Sequence, residues 1–321
     1  MQTKLNSGWV YRDRIAPKDA GQTVLDFYAR RYRHSSVETW RDRLESEQIY
    51  LGNGKGKQPA TADQVLETGQ ALEYHRPPWQ EPAVPLDIQI LYEDADLLVV
   101  SKPSGLPVMP AGGFLEHTLL RQLQRQYAGD VPPVPIHRLG RGTSGLMLLA
   151  RSPLAKSQLT QQMRDRRLEK IYWAIATGLP PKGQFTISTP IGKLPHPTLG
   201  TLYGAVPDSA ANSTGKFAHS ICRVVSRDTS QQQSLIEVKI LTGRPHQIRI
   251  HLAAAGFPLA SDPLYQIGGI PILNAQPPHP LPGDCGYSLH ARRLTFRHPR
   301  GDRPIIITTP PPPDFFRLLS D

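Results

Sequence analysis

The sequence predicts an α+β chain, and three observations predict it. Apolar strand-like runs recur at residues 97–100 and 146–150, and Ile236, Val238 and Ile240 alternate with Glu237 and Lys239. Strict alternation places one strand face on a core and the other in water, as in an antiparallel sheet. Helical segments with good start signals lie between the runs, one over 118–127 and one opening at Ser152 and Pro153. A proline-rich stretch, 76–85, then separates a small N-terminal segment from the rest, because proline stiffens the chain and blocks helix. With 321 residues there is room for more than one domain. The expected division is a small domain over 1–76, a linker over 77–86, a main domain over 87–309 and a proline-rich tail over 310–321.

Charge narrows the partners. The chain carries 37 Lys/Arg against 27 Asp/Glu, a net charge of +10. Residues 1–86 hold 12 against 11, so nearly all the excess lies beyond residue 86. Such an excess favours a polyanion such as nucleic acid over a basic protein with no such partner. Two cysteines, Cys222 and Cys285, build neither a disulfide framework nor a Cys-rich zinc site, and suit a reducing compartment. Residues 1–14 lack the apolar core of a secretory signal, and no run is long enough to span a bilayer. A soluble, cytoplasmic protein is expected.

In the first segment, Val24, Phe27 and Tyr28 fall at core spacing on a helix, and Ser36 caps a second helix through Trp40 and Leu44. A strand at 49–51 runs into a turn at Gly52, Asn53 and Gly54. Arg30, Arg31, Arg33, Arg41 and Arg43 cluster on these helices. Beyond the linker, residues 88–92, a turn at 93–96 and the buried-type strand at 97–100 form a strand–turn–strand unit broken by Lys102, Pro103 and Gly105. Leu119, Leu120 and Leu123 share one helix face; Ala155, Leu159 and Met163 share another, opposite Arg164, Arg166 and Arg167. Residues 170–178 read as a strand, and 179–215 as loops with short strands.

The chain is organised around His137, Arg138, Leu139, Gly140, Arg141, Gly142, Thr143, Ser144 and Gly145, which run straight into the apolar stretch 146–150. Glycines let a ligand approach the backbone, and two arginines offer forked donors suited to phosphate. This stretch resembles the signature of the RluA-type RNA pseudouridine synthases, His-Arg-Leu-Asp-Arg-x-Thr-Ser-Gly. Three further stretches resemble that family in the same order. They are Lys102-Pro-x-Gly-Leu106, Lys170-x-Tyr172-x-Ala174 with Gly178, and the run from Thr242 through Arg244, His246, Gln247, Arg249 and His251 to Asp262, Pro263, Leu264 and Tyr265. The strand at 289–296 closes the match. The N-terminal segment is similar to the alpha-L, S-four-like RNA-binding domain that such synthases carry; the plainer alternative is a helical cap with a solvated basic face.

The resemblance implies a mixed, mostly antiparallel sheet with flanking helices. It also implies isomerisation of uridine to pseudouridine in structured rRNA or tRNA, on a base flipped from its stack, with no metal or other cofactor. By it, Arg249 pairs with the family's catalytic aspartate, Tyr172 stacks on the base and helps the late proton removal, and Arg138, Arg141 and Arg244 meet phosphates. His246 and Gln247 of the same motif, with Arg30 and Arg41 of the first segment, complete the RNA-binding set. One position departs: where the family has its aspartate, this chain has Gly140, and no carboxylate remains in the loop. Three outcomes follow for Arg249. Asp165, Glu169 or Asp262 replaces the missing partner; RNA phosphate is the counter-ion, and the protein is a catalytically silent RNA binder; or Arg249 is solvated. As a strand aromatic, Tyr172 has an ordinary core role available too.

Two other chemistries are disfavoured. Gly140-x-Gly142-x-x-Gly145 has the form of a dinucleotide fingerprint, but that motif needs a strand before it and a helix after, and here prolines precede and a strand-like run follows. Ser144 lacks the Gly-x-Ser-x-Gly elbow of a serine hydrolase.

Overall fold

The computed structural model describes residues 5–33, 35–52, 54–197, 199–206, 215–273 and 280–319. The expected turn residue Asn53, and residues 207–214 of the loop-rich stretch, lie outside these. The chain forms two compact units, one of Met1–Glu81 with Pro197–Gly200 and one of Pro82–His196 with Thr201–Asp321.

The first unit holds four antiparallel strands, β1 (Trp9–Arg14), β2 (Ile49–Leu51), β3 (Gln58–Pro59) and β4 (Ala71–Arg76), in the order β1-β4-β2-β3. Two helices join them: α1 (Val24–Arg31), capped by Thr23, and α2 (Val37–Glu45), capped by Ser36. Val24, Phe27, Tyr28, Trp40 and Leu44 meet in its core, with the Tyr28 and Trp40 rings stacked at 4.7 Å. Several of the clustered arginines have local work. Arg30 pairs with Asp19 at 3.2 Å, Arg31 with Asp13 at 3.2 Å, and Arg43 lies 4.2 Å over the Trp40 ring. Arg41 is exposed on α2. Strand β1 went unread in the sequence because it sits on a sheet edge, half-exposed, with charges where an alternating apolar pattern would be.

The second unit is built on a ten-stranded sheet. Its strands are β5 (Gln89–Glu93), β6 (Leu97–Lys102), β7 (Val134–Pro135), β8 (Ser144–Ala150), β9 (Glu169–Thr177), β10 (Gln184–Ile187), β13 (Ser220–Asp228), β14 (Gln233–Ile240), β15 (Leu289–Arg297) and β16 (Pro304–Thr308). The main path runs β10-β13-β14-β9-β15-β8-β6-β5, with β16 on β15 and β7 on β8. Between β10 and β13 in the chain, β11 (Ile191–His196) and β12 (Gly200–Ala205) form a separate two-stranded sheet. Pairing in the large sheet is antiparallel except between β8 and β15, so the sheet is mixed and mostly antiparallel.

Every residue of β8 is buried, which is why 146–150 reads as a continuous apolar run and not as an alternation. The helices start where their caps require. Thr118 accepts from the Arg121 N–H at the start of α3 (Leu119–Gln126), and Ser152 from the Ala155 N–H at the start of α4 (Pro153–Arg164). Helix α5 (Gln247–Ala254) has no side-chain cap; its N-cap, His246, is left-handed at φ 54°.

The one parallel pairing sets His290 level with Ser144 and Ala291 with Gly145. Here the backbones touch. A Cβ on Gly145 would lie 2.4 Å from the Ala291 carbonyl oxygen, at a φ of +103°. Glycine is the residue that allows both, and the Ser144 hydroxyl locks the crossing by a 2.9 Å bond with His290 Nδ1.

Candidate active site

A cleft of about 280 Å³ opens where four parts of the second unit converge. The loop before β8 brings His137, Arg138, Gly140 and Thr143. Strand β9 brings Lys170 and Tyr172. The turn into α5 brings Arg244, His246, Gln247 and Arg249, and the approach to β15 brings Tyr287. Seven of the residues singled out in the sequence therefore line one cavity, although more than a hundred positions separate Arg138 from Arg249.

The loop is held by the turn that follows β6. Lys102 is 1% exposed, and its ammonium donates to the carbonyls of Pro103, Leu106 and Arg141 at 2.8, 2.8 and 3.2 Å. Burial pulls its pKa down to about 7. The Gly105 N–H adds a 2.8 Å bond to the same Arg141 carbonyl, and the Ser104 hydroxyl a 2.7 Å bond to that of Gly142. The Lys-Pro-x-Gly segment thus holds the central loop through its carbonyls, a positioning role.

Arg249 has a protein partner. Its Nε and Nη2 each lie 2.7 Å from an oxygen of Asp262, in a forked pair whose side chains are 3% and 1% exposed. The third nitrogen donates to the Pro282 carbonyl at 3.1 Å, and the guanidinium lies 4.2 Å over the Tyr287 ring. Of the three acids considered, Asp262 is the counter-ion. Asp165 pairs with Arg167, and Glu169 with Lys239 and Arg293. Asp262 Oδ1 also accepts the N–H groups of Leu264 and Tyr265, and the carboxylate does not line the cleft. Solvated and phosphate-only states for Arg249 are both replaced by this internal pair.

Gly140 is not demanded by its backbone, which has no positive φ. Space is the constraint. A Cβ there would lie 2.8 Å from the Tyr287 hydroxyl and 3.4 Å from the Thr143 hydroxyl, which are 3.3 Å apart. The tip of Tyr287 thus crowds the point from which a carboxylate would grow. Among the described residues no Asp or Glu lines the cleft, whose wall is cationic through Arg138, Lys170, Arg244 and Arg249.

The neutral groups are set by burial. Tyr172 is 6% exposed and its phenol is pushed above its usual pKa. His137 is pushed down to about 3, and its Nε2 accepts the Leu148 N–H at 3.2 Å. His246 is lowered to about 4, by burial first and by Arg249 second. Two expected RNA contacts are otherwise occupied. Arg141 does not line the cleft; its Nε donates to the Gly283 carbonyl at 2.7 Å, and its ring contact is Phe114. Gln247 donates to the His219 carbonyl and the Ser220 hydroxyl, and accepts from the Thr242 hydroxyl and the Arg244 N–H. No amide capacity is left for RNA, because those four bonds use it all, so Gln247 is a positioning residue. Arg30 and Arg41 belong to the first unit. In the sequence Lys170 has a place in the motif with Tyr172 but no site role, and no local pattern singles out Tyr287.

Comparison with known proteins gives the family. The RNA pseudouridylate synthase family pattern matches residues 96–254. An uncharacterized RNA pseudouridine synthase of Synechocystis is 45% identical over 291 residues, spanning 91% of this chain and 94% of the relative. The ribosomal large subunit pseudouridine synthase D of Neisseria meningitidis serogroup B is 34% identical over 307 residues, 90% of this chain and 75% of the relative. Among solved structures, human RNA pseudouridylate synthase domain containing 1 superposes with a TM-score of 0.54 at 25% identity, covering 72% of this chain and 86% of that one. The chain belongs to the RluA-type RNA pseudouridine synthase family.

Proposed function

We propose that this protein isomerises uridine to pseudouridine in structured rRNA or tRNA, in the cytoplasm. The observation that carries the reading is the convergence of Arg138, Arg244, Tyr172 and Arg249, the last held from behind by Asp262, on one cationic cleft. Arg138, exposed, and Arg244, half-buried, meet phosphates and set the register of the strand without reading sequence. A flipped uracil lies against the buried face of Tyr172, where a neutral phenol adds contact area without charge. Arg249, already paired, keeps its plane fixed beside the reacting nucleotide and supplies positive potential as charge develops there. The rRNA target is suggested by the relative named for the large ribosomal subunit. In this proposal the first unit acts as the alpha-L, S-four-like RNA-binding module, with Arg41 and neighbouring cations on its surface.

One observation favours a second reading, a silent RNA binder: the cleft has no carboxylate among the described residues, and Gly140 stands where the family carries one. A pseudouridine map of total RNA separates the two, in cells with the gene, without it, and with Gly140→Asp combined with Tyr287→Phe, which removes the crowding hydroxyl. Sites lost on deletion and restored by the natural chain establish the synthase. Sites produced by the double variant alone establish the binder.

A further inference from the structure

Every route from uridine to pseudouridine shares one event. Uracil C5 gains the ribose C1′ and loses its hydrogen, and N1 loses C1′ and gains a proton. Something must accept the C5 proton, and among the cleft side chains few have a lone pair to offer. The arginines have none, and neither has Lys170 as an ammonium. Tyr172 is a neutral phenol held above its usual pKa by burial, so it is a poor base. The Nε2 of His137 is already an acceptor for the Leu148 N–H.

His246 is different, and its tautomer follows from its neighbours. The Tyr265 hydroxyl has one proton, and it donates that proton to the Tyr203 carbonyl at 2.8 Å. His246 Nδ1 lies 2.8 Å from the same oxygen, so Nδ1 must be the donor. The proton is therefore on Nδ1, and Nε2 carries a bare lone pair. Nε2 has no hydrogen-bond partner among the described residues, and the ring lines the cleft. The ring is also held still. His246 has φ 54°, a conformation that costs a non-glycine residue and persists where the surroundings impose it. Here the Gln247 bonds to Thr242 and Arg244 fix the turn, and the Tyr265 relay fixes the imidazole.

We propose that His246 Nε2 removes the C5 proton, a role that rests on the synthase reading above. The C5–H bond breaks and an Nε2–H bond forms. The freed electron pair re-forms the C5=C6 double bond, the C6=N1 pair moves onto N1, and N1 takes a proton from water. The imidazolium then returns its proton to solvent. Burial keeps the ring neutral; of the charged groups facing it, Arg249 and Arg138 act in the same sense and Asp262 opposes them. A weak base is sufficient, because losing this proton restores the conjugated ring.

The test is single-turnover conversion of RNA carrying uridine or 5-deuterouridine, with the natural chain, His246→Gln, His246→Ala and Lys170→Gln. His246→Gln is expected to slow conversion about 100-fold or more at saturating RNA, in line with the loss of a general base. Deuterium at C5 then becomes rate-limiting, and added imidazole restores part of the His246→Ala rate. An unchanged rate, a loss confined to affinity, or an isotope effect that appears with Lys170→Gln in place of His246→Gln overturns the proposal. A second readout needs no turnover: nitrogen NMR of His246 at neutral pH is expected to show a protonated Nδ1 and a bare Nε2, and the opposite tautomer overturns it. A natural chain that binds RNA yet converts none overturns the synthase reading first, a result distinct from active protein indifferent to His246.

Discussion

Replacing Asp262 with Asn isolates the buried ion pair behind the cleft. The two carboxylate oxygens accept four hydrogen bonds, two from Arg249 and one each from the N–H groups of Leu264 and Tyr265. An asparagine oxygen at Oδ1 keeps three of these, but its NH₂ then faces Arg249 Nε, donor against donor. The larger loss is the charge. Arg249 is 2% exposed and would have no counter-ion, and breaking a buried pair from one side costs about 3–5 kcal/mol. A typical domain has about 5–15 kcal/mol in all, so the variant should lose a large share of its stability. The matched control is Asp165→Asn, whose partner Arg167 is 61% exposed, so water and salt screen the pair and little stability rests on it. Urea unfolding reads both: the Asp262→Asn midpoint should fall steeply with an unchanged slope, and the control should barely move. A loss for Asp262→Asn as small as the control's would refute the assignment of Asp262 as the buried counter-ion.

Three other outcomes are expected. Gly140→Asp alone should lose about 1–3 kcal/mol by overpacking against the Tyr287 hydroxyl, 2.8 Å from its Cβ, and adding Tyr287→Phe should recover most of it in a thermal melt. Arg138→Ala, at an exposed cleft position, should weaken binding about equally for different RNA sequences and flatten the slope of log affinity against log salt by roughly 0.7–1. Stability should fall as pH drops from about 6.5 to 4.5. His137 is lowered to about 3, and His246, His251 and His290 to about 4, so in this window the unfolded chain binds protons that the folded chain does not. Each contributes at most about 1.4 kcal/mol per pH unit, and a urea midpoint that is flat across the window would contradict their buried, neutral state.

Much of this protein is determined by interactions between near neighbours, and those are legible in the sequence alone. Thr118 and Ser152 start their helices because a hydroxyl three residues back reaches the first free N–H groups. The continuous apolar run of β8 announces burial on both faces, and alternation in β14 announces a strand that is buried on one. The central loop and the Arg244–Arg249 turn stand out as candidate site segments because their residue types sit close together in the chain. Other features depend on closure of the sheet, which no local pattern encodes. Only the parallel meeting of β8 with β15 explains why Gly145 must be glycine and brings Tyr287 against Gly140. Only the folded backbone selects Asp262 from three acids, because pairing is decided by distance and burial and not by sequence separation. It likewise turns Gln247 inward and fixes the His246 proton through Tyr265 and Tyr203, since a tautomer is set by whichever donors and acceptors the fold places around the ring.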